Sequence, residues 1–319
     1  MGPFVYNVIM KNRRTFILIS TLAMNLRRLM QLALMVGGLL ITSAGLEIKA
    51  AMPGMAGDIQ RSFSNTQFGR VHHWSIGQGS TLLMLHQSGQ TSTEFLAIAP
   101  LLADSFRVVA IDLPNHGQSD TSDHELTVDE YADAVVDVLD NMGITQAHML
   151  GQHGGASVVI NLGIRYADRV GKVILSGAGR DEDVDEEKLQ EMLNTPMTRD
   201  LPIDVDGDFL QKTWSVYRKM SASNTPPEVT FQPFLSSLTL RQRRYDLHYA
   251  VYRYSPNLDE FNKETLLLKA EEDIYAGDVA ALQRRITGSI LREIPNCGSW
   301  QFFEQPELHA EIIQEFLGQ

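Results

Sequence analysis

The chain has 319 residues with 27 basic and 39 acidic side chains, for a formal net charge of −12. A hydrophobic share of 44% and a charged share of 21% give ample material for one large core, unlike a disordered or multi-span membrane chain. The acidic balance excludes general nucleic-acid binding, and a lone cysteine, Cys297, excludes an internal disulfide framework and a cysteine-cluster metal site.

The first fifty residues differ from the rest. Residues 1–51 hold six of the basic side chains and one acidic, Glu47, which leaves 21 basic and 38 acidic beyond them, a net of −17. After Met24 come Arg27 and Arg28, an apolar run over 29–41, then Thr42-Ser43-Ala44-Gly45. A basic start, an apolar middle of this length and a small-residue end make a secretory signal peptide, with cleavage expected after Ala44 or Ala50. Met24 is then the natural start and 1–23 an upstream extension. The competing reading is an uncleaved anchor built from this run and the apolar patch 16–23; Gly37 and Gly38 weaken it. Export to the periplasm or beyond is the expectation, with no stable membrane partner after cleavage.

From residue 52 onward the pattern is strand, loop, helix, repeated, which predicts βαβ units and a mostly parallel sheet. Strands are expected at 70–74, 81–86, 107–112, 147–151, 173–176 and 265–269. A helix over 127–142 follows from Val128, Tyr131, Val135, Val138, Leu139 and Met142 at helical spacing, stopped by Gly143. Further helices are expected at 156–166 and 308–317. Between 179 and 260 the rhythm breaks: an acidic run over 181–187 is followed by six prolines. An insertion of this size between two late strands predicts a helical cap, 179–260, on a core of 52–178 and 261–319. Its many aromatic residues either line an apolar pocket or hold the cap together.

Four stretches carry the chemistry, in this order: Leu85-His86-Gln87-Ser88; Asp112-Leu113-Pro114-Asn115-His116-Gly117-Gln118-Ser119; Leu150-Gly151-Gln152-His153-Gly154-Gly155; and the pair Lys269-Ala270-Glu271-Glu272-Asp273 and Pro295-Asn296-Cys297-Gly298-Ser299-Trp300. Together they resemble the α/β-hydrolase superfamily over about 68–317. The first is similar to the family's His-Gly oxyanion loop, with Gln87 in place of glycine. The third stands where the nucleophile elbow belongs, and the last pair where the acid and the histidine belong.

The resemblance implies a mostly parallel sheet flanked by helices, and a strand-to-helix turn that pushes one side chain into the cleft. In the family that side chain is Ser, Cys or Asp; here it is His153. The family's histidine position is Ser299. Both departures fall on the catalytic residues, so an ordinary acyl-enzyme route does not carry over. Three readings stay open. His153 acts as general base or nucleophile with Asp273 orienting it; or His153 activates Ser299 as nucleophile; or the chain is catalytically silent and binds a small molecule under its cap. In each, the central polar residues are His153, Asp273 and Ser299, with Gly154 and Ser88 as backbone oxyanion donors and His86, Gln87, Gln152 and Trp300 around the substrate.

Other signals are set aside. Asp204-Val205-Asp206-Gly207-Asp208 is like a calcium loop, but glycine precedes the third aspartate and position twelve is Ser215. His72 and His73 point to opposite faces of a strand. Cys297 is expected to be a small buried side chain, and His86 and His116 to hold loops. No metal and no organic cofactor is expected. The expected activity is hydrolysis or C–C or C–O cleavage of a small, fairly apolar molecule.

Overall fold

The computed structural model describes residues 59–178, 185–195, 201–240 and 247–318. The expected signal peptide and upstream extension, 1–51, lie outside the described residues, as does most of the acidic run of the cap.

Among the described residues, eight strands form one sheet: β1 (Gln60–Thr66), β2 (Gly69–Ile76), β3 (Ser80–Leu85), β4 (Phe106–Ile111), β5 (Ala147–Gln152), β6 (Val170–Ser176), β7 (Thr265–Ala270) and β8 (Ile290–Ile294). Their order is β1-β2-β4-β3-β5-β6-β7-β8. The β1/β2 and β2/β4 pairs are antiparallel and the rest parallel. The short apolar runs make the central strands because they are buried on both faces. Alternation then divides each run between two cores. Leu83, Leu85, Val109, Ile111 and Leu175 face one cluster, whereas Leu82, Met84, Val108, Ala110 and Ile174 face the other.

Helices Val128–Asn141, Gly154–Arg165 and Ala276–Arg285 cover the first face, and Ala99–Leu102 and Pro306–Leu317 the second. Helix Val128–Asn141 starts with a capping box, in which the Thr127 side chain takes the Glu130 N–H and the Glu130 carboxylate takes the Thr127 N–H. Gly143, at φ 67°, ends it.

The insertion between β6 and β7 is helical: Glu186–Leu193, Asp208–Met220, Pro227–Leu240 and Leu247–Tyr252. Its aromatic residues pack on one another, with Trp214 and Tyr217 edge-on to Phe234 at 5.3 and 6.1 Å between ring centres. Asp204 caps helix Asp208–Met220 by accepting the Asp208 and Phe209 N–H groups at 2.8 and 3.0 Å, which accounts for the aspartate-rich loop. No helix among the described residues is long and apolar enough to cross a membrane.

The chain leaves β3 for β4 on one side and returns to β5 on the other. The loops after β3 and β5 therefore emerge side by side, with Leu85 paired to Gly151. This divergence at the carboxyl ends of parallel strands is where such sheets open a crevice for ligands.

Candidate active site

β5 ends at Gln152 and a helix begins at Gly154, so one residue makes the whole turn. That residue, His153, sits at φ 43°, ψ −110°. A non-glycine residue held there costs about 1–3 kcal/mol, which the surroundings must offset. His153 N–H donates to Ser176 O and its carbonyl accepts from Ala156 N–H, both at 2.9 Å. The turn closes because position 155 is glycine: a Cβ there would stand 2.2 Å from the Leu85 carbonyl oxygen.

The turn aims the imidazole at Asp273, which follows β7. His153 Nε2 lies 2.9 Å from Asp273 Oδ2, with both side chains almost fully buried. The same carboxylate accepts Gln301 Nε2–H at 2.8 Å on Oδ2, and the Ser299 hydroxyl and the Tyr275 N–H at 3.1 and 3.0 Å on Oδ1. Burial pushes the Asp273 carboxyl up. The charge and hydrogen bond of His153, with the Tyr275 and Ser299 donors, outweigh burial and hold it below the usual carboxylate value. An ionised Asp273 can only accept, so His153 Nε2 carries the hydrogen of this bond.

Gly177 fixes which edge of the ring does this. A Cβ on Gly177, itself at φ 55°, would be 2.3 Å from His153 Cδ2 and 2.4 Å from Nε2. The Cδ2–Nε2 edge therefore faces β6 and β7, and Nδ1 lies on the opposite edge. Nδ1 has no hydrogen-bond partner among the described residues. The Tyr275 ring stands edge-on to the imidazole at 4.9 Å.

Gly154 and Ser88 come together as the two loops meet. A Cβ on Gly154 would be 3.2 Å from the Ser88 nitrogen and 2.9 Å from Leu247 Cδ2 of the cap. Among the described residues neither N–H donates to a backbone acceptor, and Gly154 opens a helix, where N–H groups and the helix dipole favour negative charge. His248, also from the cap, approaches the next residue of the loop, with Cε1 3.4 Å from where a Gly89 Cβ would be.

All four residues expected around a substrate are engaged within the protein. His86 is wholly buried, with Nδ1 2.8 Å from the Gln87 carbonyl oxygen and Nε2 taking the Leu113 N–H at 3.1 Å. Gln87 gives its side-chain amide to Glu94 at 2.5 Å. Trp300 stacks on Tyr217 at 4.8 Å and 8°, and its ring N–H donates to the Tyr217 carbonyl, so it joins cap to core. Gln152 donates to Ser299 O at 3.1 Å, and its own amide oxygen is buried with no partner among the described residues. His116 meets the Pro114 carbonyl oxygen at 2.9 Å within its loop.

Ser299 is wholly buried and turned to Asp273, so the ring and the hydroxyl converge on one carboxylate. Its N–H donates to Met220 O, which fastens this loop to the cap, and the adjacent Gly298 N–H donates to Glu304 of the core. Cys297 is also wholly buried; burial and the neighbouring Glu304 and Asp273 push its thiol up, away from the reactive thiolate. Among the described residues no three His, Cys, Asp or Glu side chains are grouped to hold a metal ion. Sequence reasoning missed Glu94, Tyr275 and Gln301. No local pattern marks them, since their roles come from burial against loops distant in the chain.

Residues 80–306 match the family model described as the alpha/beta hydrolase fold. The chain is 26% identical over 279 residues to a 2-hydroxy-6-oxo-6-phenylhexa-2,4-dienoate hydrolase of Burkholderia cepacia, covering 78% of this chain and 91% of that protein. A thermophilic esterase from Thermogutta terrifontis superposes with a TM-score of 0.71 at 20% identity, covering 81% of this chain and 98% of its own. A meta-cleavage product hydrolase from Pseudomonas fluorescens IP01 superposes at 0.66 and 18%, covering 81% and 97%.

Proposed function

The chain belongs to the alpha/beta-hydrolase fold family, and from that premise we propose that it hydrolyses a bond beside a carbonyl in a small, largely apolar molecule without an acyl-serine. One observation carries the reading: the orientation of His153. Its Nε2–H is committed to Asp273, so the basic nitrogen is Nδ1, on the edge turned away from Gly177.

In this reading Nδ1 takes a proton from water as the water oxygen bonds to the carbonyl carbon. The carbonyl oxygen becomes an oxyanion met by the Gly154 and Ser88 N–H groups. Collapse of the intermediate breaks the C–C or C–O bond, and the imidazolium returns its proton to the departing carbon or oxygen. The products are a carboxylic acid and a protonated leaving fragment, and Asp273 stays ionised to balance the imidazolium. The Burkholderia relative, named for a 2-hydroxy-6-oxo-dienoate, supports C–C cleavage of such a ketone. Against Ser299 as nucleophile stands its burial and its bond to Asp273.

The test is single turnover in 18O-water with 2-hydroxy-6-oxo-6-phenylhexa-2,4-dienoate and a panel of esters and lactones. One 18O in the acid product, no acylated protein, and a loss of about 10²–10⁴-fold in kcat in His153→Ala with unchanged circular dichroism are expected. Unchanged turnover in His153→Ala overturns the reading. An acyl adduct on His153 makes it the nucleophile instead. No turnover, with a small molecule retained in the native mass spectrum, makes the chain a binding protein.

Export rests on the basic, apolar and small-residue pattern of 27–45. N-terminal sequencing of the exported chain is expected to begin after Ala44 or Ala50, and an intact Met1 in a membrane pellet overturns it.

A further inference from the structure

Glu94 lies on the 3-10 turn Ser92–Phe95 and is 1% exposed, yet its whole carboxylate is given to one residue. Oε2 accepts the Gln87 main-chain N–H at 3.0 Å and Oε1 accepts the Gln87 side-chain amide at 2.5 Å. The Gln87 carbonyl in turn accepts the Gln90 N–H at 3.2 Å and lies 2.8 Å from His86 Nδ1. The peptide planes on either side of Gln87 are therefore both tied down. The next N–H along the chain is that of Ser88, beside Gly154.

We propose that Glu94 is a positioning residue: by gripping the main-chain and side-chain N–H groups of Gln87 together, its carboxylate aims the Ser88 N–H at the oxyanion site, and protonation of Glu94 releases that grip. An ionised carboxylate accepts on both oxygens. A carboxylic acid turns one of them into an O–H donor and a much weaker acceptor, so one of the two Gln87 donors is left poorly held. The Gln87 amide has a second acceptor within reach, the Ser299 carbonyl at 3.5 Å, which already takes the Gln152 amide. Protonation thus moves the amide from the Glu94 side of the loop to the Ser299 side and frees the peptide that carries Ser88.

The titration falls where it matters. Burial pushes the Glu94 carboxyl up to about 7, against the Gln87 N–H groups and the charge of His153, which favour its ionised form. The other titratable groups on the packed elements are engaged elsewhere. Asp112, after β4, accepts the Ser92 N–H and pairs with His72. His86 is held by Gln87 and Leu113, and Glu304 accepts the Gly298 and Ala222 N–H groups.

The experiment is a pH series of amide 15N–1H spectra of the full chain without substrate, in wild type, Glu94→Gln and Gln87→Ala. The Ser88 signal is expected to titrate near 7 in wild type and to be flat in Glu94→Gln. In Gln87→Ala its midpoint moves up, because the ionised carboxylate has lost a donor. A Ser88 signal that is flat in wild type, or that titrates unchanged in Glu94→Gln, overturns the proposal. Should Glu94→Gln fail to fold, an unmoved midpoint in Gln87→Ala overturns it. Only the kinetic arm rests on the hydrolase reading: Glu94→Gln is expected to lower kcat about tenfold, with KM within about twofold and no acid limb near neutrality. Equal kcat in the variant overturns the role in aiming the donor. Absence of turnover in wild type with the Ser88 titration intact sinks the hydrolase reading alone.

Discussion

His153 Nε2 stands 2.9 Å from Asp273 Oδ2, while the Ser299 hydroxyl donates to the other oxygen of the same carboxylate. In the family pattern the imidazole comes from the loop after β8 and the small hydroxyl side chain from the elbow. Here the turn after β5 carries the imidazole and the loop after β8 carries the hydroxyl, with Asp273 between them. The imidazole reaches the carboxylate from the end of β5.

That exchange makes a reversal testable. The double variant His153→Ser with Ser299→His rebuilds the family's usual arrangement, because the ring leaves the space beside Asp273 at one position and returns to it at the other. The double variant is expected to be labelled by a fluorophosphonate serine probe, with neither single variant labelled. Labelling of wild type at Ser299 would show that the buried hydroxyl is already a nucleophile.

Ser299→Ala removes one of four donors to Asp273 and is expected to cost about 1–2 kcal/mol of stability by urea unfolding. Turnover is expected to stay within about tenfold of wild type. A complete loss of turnover with the fold intact would assign Ser299 the catalytic role instead.

Asp273, together with the buried Asp112, contributes to the pH dependence of stability at the acid end. Its folded value lies below the unfolded one, so its contribution is present above the unfolded value and is lost as pH falls through the folded value. Wild type is therefore expected to lose stability on acidification below about pH 4, and Asp273→Asn to lose less over that window. The variant also starts lower, by about 1–3 kcal/mol, since its single amide oxygen replaces two carboxylate oxygens that four donors share. Tm measured across pH checks both slopes.

Gly177→Ala is expected to be more damaging than its size suggests. The residue has φ 55°, and the added carbon would lie 2.3 Å from the His153 ring and 2.6 Å from Asp273 Oδ2. A loss of about 2 kcal/mol or more and the loss of turnover follow, read by urea unfolding and the dienoate assay.

The strands at the sheet centre were legible because burial on both faces demands unbroken apolar runs such as Leu82-Leu83-Met84-Leu85. The edges were not. β1, Gln-Arg-Ser-Phe-Ser-Asn-Thr, is exposed at its first four positions, and β8 breaks its short apolar run with the exposed Arg292 and Glu293, so neither shows an unbroken apolar run. At the site, His153 and Asp273 could be placed from motif order, since the chain reaches the ends of β5 and β7 in a fixed sequence. Glu94 could not. A glutamate in a polar loop reads as solvated, and only the folded loop shows it closed over by Gln87.

The deep burial of Cys297 has a practical side. With its thiol inaccessible and shifted away from ionisation, the native chain behaves towards maleimides as though it had no cysteine at all. A single thiol introduced at Val205, which is 98% exposed on the cap, would thus take a fluorophore or spin label at one position without any background substitution. The same chain then becomes its own reporter of the cap's surroundings with and without a ligand.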